Sequence, residues 1–91
     1  MNDTATAAFE RLLDVAERDT HQSRKVRRFI LAWWNAAEHG GFDPADLFSL
    51  DTSIAQDIAS IVYWLANAPA GEYPTAYRSR IEKIIQVNNR D

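Results

Sequence analysis

Apolar residues recur at spacings of three and four along most of this chain, and this spacing constrains the fold more than any other feature. An α-helix turns once every 3.6 residues, so the spacing places these side chains along one face of a helix. The three Gly and three Pro residues fall between the apolar segments. Strand-like alternation is absent. The sequence therefore predicts an all-α fold, a compact bundle of four main helices plus one short helical turn.

Start and stop signals predict where each helix lies. The first is expected over residues 4–18 with Asp3 or Thr4 as its cap, and the second from a cap at Thr20 to Gly40–Gly41. A short turn over 42–50, a helix over 52–67 capped by Asp51, and a last helix opened by Pro74 follow. The residues expected in the core are Ala8, Phe9, Leu12, Leu13, Ala16, Val26, Phe29, Ile30, Trp33, Ala36, Ala37, Phe42, Leu47, Phe48, Ile54, Ala55, Ile58, Ala59, Ile61, Val62, Leu65, Ala66, Tyr77, Ile81, Ile84 and Ile85.

Length and composition predict a single soluble domain. The 91 residues are enough for one helical domain, 1–91, in which 88–91 is expected to be a frayed tail. The chain has no cysteine, which excludes disulfides and thiolate metal sites and fits a cytoplasmic location. The longest apolar runs, 29–34 and 61–66, are far shorter than the roughly 20 residues that a membrane-spanning helix needs. No membrane association is therefore predicted.

No motif in the sequence indicates catalysis or cofactor binding. His39 lies near Glu38, Asp43 and Asp46, which raises the hypothesis of a metal or acid–base site. The spacing matches no known ligand pattern, and a helix C-terminus favours a positively charged His through its dipole. Helix capping explains Asp43 without catalysis and is the favoured interpretation. The sequence therefore predicts no enzyme activity, no cofactor, no metal and no small-molecule substrate.

Charge is unevenly distributed along the chain. The formal net charge is −3, and no Lys or Arg occurs between Phe29 and Tyr77. A basic run, Arg24, Lys25, Arg27 and Arg28, precedes this stretch. One interpretation pairs the run with the acidic end of the first helix, at Asp14, Glu17 and Asp19. The alternative is a patch that contacts nucleic-acid phosphates.

Large aromatic residues suggest a second surface. Because adjacent helix residues point about 100° apart, Trp34 lies on the flank of a helix that buries Trp33. Arg27, Leu31 and Trp34 then form a stripe separate from the core, and Tyr63 and Trp64 stand off the apolar centre of the third helix. Either these rings widen the core or they form a protein-interaction patch, where Trp, Tyr and Arg are favoured. The candidate interaction residues are Arg27, Leu31, Trp34, Tyr63 and Trp64.

Several segments resemble a family of unknown function. They are residues 23–43, which include Leu31-Ala-Trp-Trp-Asn-Ala36 and Gly40-Gly-Phe-Asp43, then Asp46-Leu47 and Tyr73-Pro74-x-Ala76-Tyr77. The family resembled consists of short proteobacterial proteins often encoded on plasmids and integrative elements. The resemblance implies mobile-element biology and no particular activity.

These observations lead to two hypotheses of function. The first is a non-catalytic protein-interaction module, with a protein partner or a second copy of itself, that modulates or inhibits a host or element protein. The alternative is a nucleic-acid-associated accessory protein that uses Arg24, Lys25, Arg27 and Arg28.

Overall fold

Helices account for most of the chain, in the order that the apolar periodicity predicts. The computed structural model describes residues 1–90. Within that range no strand occurs, so the predicted all-α fold is confirmed. The helices are α1 (Asp3–Ala16), α2 (His21–His39), α3 (Thr52–Asn67) and α4 (Arg78–Arg90), with a 3₁₀ helix at Pro44–Ser49 and a 3₁₀ turn at Thr75–Tyr77 that leads into α4.

The core forms around α1, which packs against α2, α3 and α4. One face of α1 is entirely buried, because its apolar residues recur at helical spacing. The radius of gyration is 12.2 Å, and a folded chain of this length is expected to have one of about 12 Å. The buried apolar residues are Ala5, Ala8, Phe9, Leu12, Leu13, Ala16, Val26, Phe29, Ile30, Leu31, Leu50, Ile58, Ile61, Ile81 and Ile84.

Side-chain caps set several of the helix ends. The Thr20 side chain accepts a hydrogen bond from the Ser23 amide at 3.0 Å, which confirms the predicted start of α2. The Asp43 carboxylate accepts from the Ala45 amide at 2.9 Å and starts the 3₁₀ helix. The predicted bounds of α3 are also confirmed. Asp51 precedes α3 without capping it through its side chain.

The cap of α1 was assigned to the wrong residue. Asn2 caps this helix, accepting from the Ala5 amide at 2.8 Å, so α1 begins one residue earlier than predicted. At the other end of the chain, the expected tail is helical as far as Arg90, and Asp91 lies outside the described residues.

A break inside α2 changes which residues reach the core. Asn35 has extended backbone angles (φ −166°, ψ 87°), and its side chain accepts from the Glu38 amide at 3.3 Å, capping a last separate turn. That turn points away from the core, so Ala36 and Ala37 are exposed rather than buried. It ends at Gly40, whose φ of 89° favours glycine.

Four further residues predicted in the core, Phe48, Ala59, Val62 and Ala66, are also at the surface. Phe48 is 95% exposed and Val62 is 50% exposed. Their neighbours Leu47 and Ile61 pack into or against the core instead.

None of the described helices is both long and apolar enough to cross a lipid bilayer.

Candidate protein-interaction surface

Two of the five predicted interaction residues are inside the protein. Arg27 is fully buried, and its guanidinium donates to the backbone carbonyls of Ala16 at 3.0 Å and Arg18 at 2.8 Å. Those carbonyls lie at the C-terminal end of α1, where a helix leaves its last acceptors without intrahelical donors. Leu31, one turn further along α2, belongs to the core. The stripe of Arg27, Leu31 and Trp34 is therefore not an exposed surface.

The basic run does not form one patch either. Arg27 is buried, and Lys25 is half-buried, hydrogen-bonded to Ser49 and 3.8 Å from an Asp46 carboxylate oxygen. Only Arg24 and Arg28 of the four are exposed. The four side chains of the nucleic-acid alternative therefore do not share a surface, because two of them contact groups within the protein.

The acidic end of α1 has a different partner from the one predicted. Asp14 and Glu17 both pair with Arg80 of α4, with a distance of 3.0 Å to Asp14. These contacts raise the pKa of Arg80 against the opposing effect of its partial desolvation, so the guanidinium stays charged. The cluster joins α1 to α4 and leaves the basic run of α2 to other partners.

The remaining three candidates are accessible. Tyr63 is 75% exposed, while Trp34 and Trp64 are half-buried. Trp34 lies under the guanidinium of Arg78, whose central carbon is 5.0 Å from the ring centroid. Within residues 1–90 neither the Trp34 nor the Trp64 indole N–H donates a hydrogen bond, and neither nitrogen is buried without a partner, so solvent reaches both donors.

The outward face of α3 carries no charge. Ala59, Val62, Tyr63 and Ala66 recur at helical spacing, and all are exposed. The single charged residue of α3 is Asp57, which is held by both guanidinium contacts of Arg11, at 3.0 and 2.9 Å. Exposed apolar residues that are contiguous on one helix face mark interaction sites more often than scattered ones do.

Aromatic rings connect this face to the core. Trp33 packs edge-on against Phe9, with centroids 5.5 Å apart, and lies 6.5 Å from Trp64. Its indole N–H donates to the Glu72 carbonyl at 2.8 Å, which fastens the loop before α4 to α2. Tyr77 also packs edge-on against Phe9, at 5.2 Å. The exposed rings are thus backed by rigidly packed ones.

Three neighbouring concavities cover this side of the molecule. The first, of about 670 Å³, lies between the start of α1 and α3 and is lined by Tyr63 and Trp64. Trp64 also borders the second, of about 190 Å³, which Tyr73 shares with a third of about 300 Å³ next to Trp34. We call the accessible rings along these concavities, Trp33, Trp34, Tyr63, Trp64 and Tyr73, the aromatic surface.

Sequence reasoning missed two members of the aromatic surface. Trp33 was predicted to be wholly in the core, yet it borders the second concavity. Tyr73 is 63% exposed and was treated only as part of a turn. The signal available in the sequence was the pairing of an aromatic residue with Pro74 in a loop, which is typical of exposed recognition segments.

Carboxylates lie at the edge of the aromatic surface. The Tyr77 hydroxyl donates to a Glu10 carboxylate oxygen at 2.8 Å, and this hydrogen bond is the main reason that the pKa of Tyr77 is raised. The Glu72 side chain is exposed.

In the part of the chain that the structure describes, no three His, Cys, Asp or Glu side chains gather as metal ligands would. Asp43 and Asp46, proposed above as ligands, act as a cap and as a partner of Lys25.

Fold and surface together define a small all-helical domain with an exposed aromatic face. The chain belongs to a family described as "Family of unknown function (DUF7673)", whose family model matches residues 6–89. The resemblance seen in the sequence is confirmed to that extent. No curated protein and no solved structure matches the chain.

Proposed function

We propose that this chain is a non-catalytic protein-interaction module that contacts its partner through the aromatic surface and the adjoining outward face of α3. The observation that carries the proposal is the exposure of Tyr63, 75%, beside Val62, 50%, on a helix face without charge. A solvent-facing helix is normally polar on that side, because apolar exposure has no benefit to the folded monomer.

The chemistry of the surface supports a protein as the partner. Trp and Tyr are the residues that most often dominate binding at protein interfaces. The indole donors of Trp34 and Trp64 supply polar contacts that would fix the orientation of a partner. The partner is a second copy of the chain or another protein, and the experiment below separates the two.

A biological context is proposed from the sequence resemblance alone. The sequence resemblance to proteins of plasmids and integrative elements leads us to propose that the module modulates or inhibits a host or element protein. The cysteine-free sequence is compatible with a reducing compartment, and we place the protein in the cytoplasm.

The test compares Tyr63→Glu with Gln86→Glu, which adds the same charge at an exposed position of α4. Sedimentation velocity measures self-association, and affinity capture followed by reconstitution with the purified partner measures binding to another protein. We expect Tyr63→Glu to lose the association while Gln86→Glu retains it, with both variants as thermally stable as the wild type. A wild type that neither self-associates nor captures a partner, or a Tyr63→Glu variant that binds normally, would disprove the proposal.

A further inference from the structure

The second concavity of the aromatic surface has the composition of a cation-binding cage. It measures about 190 Å³, and four aromatic side chains line it: Trp33, Trp64, Tyr73 and Tyr77. Pockets for drug-sized ligands are usually about 300–1,000 Å³, so this concavity suits a small head group. Glu72 is the one residue with a charged side chain that lines it, and Met1, which carries the N-terminal ammonium, lines it as well.

The rings of the cage are held in place before any ligand arrives. Trp33 and Trp64 both line the concavity and pack edge to face, with centroids 6.5 Å apart and planes inclined by 60°. The Trp33 indole bond to the Glu72 carbonyl, 2.8 Å, positions the loop that carries Glu72 and Tyr73. Tyr77 is fixed by its hydroxyl bond to Glu10. Preorganised walls reduce the ordering that binding would otherwise require.

The electrostatics of the cage favour a positive guest. The faces of aromatic rings carry negative potential, and a cation near them is attracted more strongly as it loses water. Glu72 is among the residues that line the concavity, and the Glu10 carboxylate accepts a hydrogen bond from the Tyr77 hydroxyl. Glu72 forms no ion pair with any residue in 1–90. On the same surface, Arg78 already places a guanidinium 5.0 Å from the Trp34 ring centroid.

We propose that this concavity binds a trimethylammonium group. Quaternary ammonium groups are the cations that aromatic cages recognise best, because they cannot be hydrogen-bonded and lose little hydration on entering. The group has two sources, a trimethylated lysine on a partner protein or a small molecule such as choline. The proposal deepens the proposed function, since it rests on the aromatic surface being a binding surface and names what one part of it recognises.

The experiment follows the three indole N–H signals by NMR while tetramethylammonium chloride is added, with sodium chloride as the control for ionic strength. We expect saturable shifts of the Trp33 and Trp64 signals, which line the cage, with a smaller effect on Trp34. The neutral isostere 3,3-dimethylbutan-1-ol is titrated against choline, because the two share their shape and differ in charge. Choline should bind about three- to tenfold more tightly, the range that cation–π attraction supplies.

Matched variants locate the binding. Tyr73→Leu and Glu72→Gln should weaken tetramethylammonium binding about threefold or more, whereas Tyr63→Leu, outside the cage, should leave it unchanged. Thermal melts of each variant establish that the fold is intact. A peptide with trimethyllysine and its unmethylated form then identify the source: tighter binding of the methylated peptide than of choline assigns the cage to a partner protein, and the reverse assigns it to a small molecule.

Two results would overturn the proposal: no saturation with tetramethylammonium up to concentrations on the order of 100 mM, or equal binding of the neutral isostere. Either result leaves the proposed function intact if Tyr63→Glu still abolishes protein association. Conversely, the wild type could bind tetramethylammonium without associating with any protein. That result would disprove the proposed function and support the cation-binding cage.

Discussion

Helices α1 and α3 pack against each other, yet they divide their residues between core and surface in opposite ways. In α1 the buried face is complete, and charged residues such as Glu10, Arg11 and Asp14 occupy the other side. In α3 only Ile58 and Ile61 are fully buried, and apolar residues continue around to the solvent. The fold alone explains the sequence of α1. The outward apolar residues of α3 need a second explanation, which the proposed interaction supplies.

The largest expected difference between the two helices is the loss of stability when an apolar side chain is truncated. Leu12→Ala in α1 should lower the free energy of unfolding by about 2–5 kcal/mol, because Leu12 is fully buried and its loss leaves a cavity. Val62→Ala in α3 should lower it by about 0.5 kcal/mol or less. Urea unfolding followed by circular dichroism measures both. Equal losses would mean that Val62 is part of the core in solution.

Among residues 1–90, Arg27 is the one charged residue that is buried. Arg27→Met should cost about 1–3 kcal/mol, because it leaves the carbonyls of Ala16 and Arg18 without this donor. The matched control is Arg28→Met, an exposed neighbour on α2, which should be nearly neutral. Urea unfolding measures both variants. An unchanged free energy of unfolding in Arg27→Met would show that water replaces the guanidinium at the two carbonyls.

Contacts on the polar side of α1 contribute less to stability than its buried residues do. Tyr77→Phe removes the hydroxyl bond to Glu10 and should cost under about 1 kcal/mol at neutral pH, because the bond is partly exposed. The pKa of Tyr77 is raised in the folded state, so this contribution is present below the unfolded pKa of about 10 and is lost as pH rises through the folded value. The stability difference between wild type and Tyr77→Phe should therefore shrink above about pH 10. Tyr73→Phe, whose hydroxyl has no partner in residues 1–90, should show no such trend.

The smallest effect on stability is expected on the outward face of α3. Val62→Lys should change the free energy of unfolding by about 0.5 kcal/mol or less, since the side chain is half in water already. The variant should nevertheless lose the association proposed for this face, as measured by sedimentation. If Val62→Lys loses both stability and association, the lost association is explained by unfolding. The outward face of α3 would then contribute to folding as the buried face of α1 does.

Apolar periodicity was sufficient to predict the helices, because each helix has local signals at its ends. Thr20 and the bounds of α3 are examples. Periodicity oriented α3, since Ile58 and Ile61 are buried and Ile54 and Leu65 pack against the core. It could not place the edge of the buried face, because apolar residues continue past that edge. For the same reason Val62 was assigned to the core. Phe48 was misplaced because a 3₁₀ helix turns every three residues, so adjacent Leu47 and Phe48 point in different directions.

The candidate site was only partly predictable. Trp34, Tyr63 and Trp64 were found because their positions on each helix wheel lie off the centre of the apolar stripe. Arg27 was misassigned because its partners are the carbonyls at the end of another helix, which no spacing within α2 reveals. Tyr73 joins the site only through the contact between Trp33 and the loop before α4, a tertiary contact between residues distant in sequence.

The ring contacts that run from Trp64 through Trp33 and Phe9 to Tyr77 also make an optical reporter of native packing. Chromophores held edge to face at fixed angles produce a near-ultraviolet circular dichroism signal that vanishes when specific packing is lost and helices persist. Energy absorbed by Tyr77 can pass by resonance transfer to the indole of Trp33, since both rings contact Phe9. The protein therefore needs no attached dye for an observer to tell its native state from a loosely packed helical one.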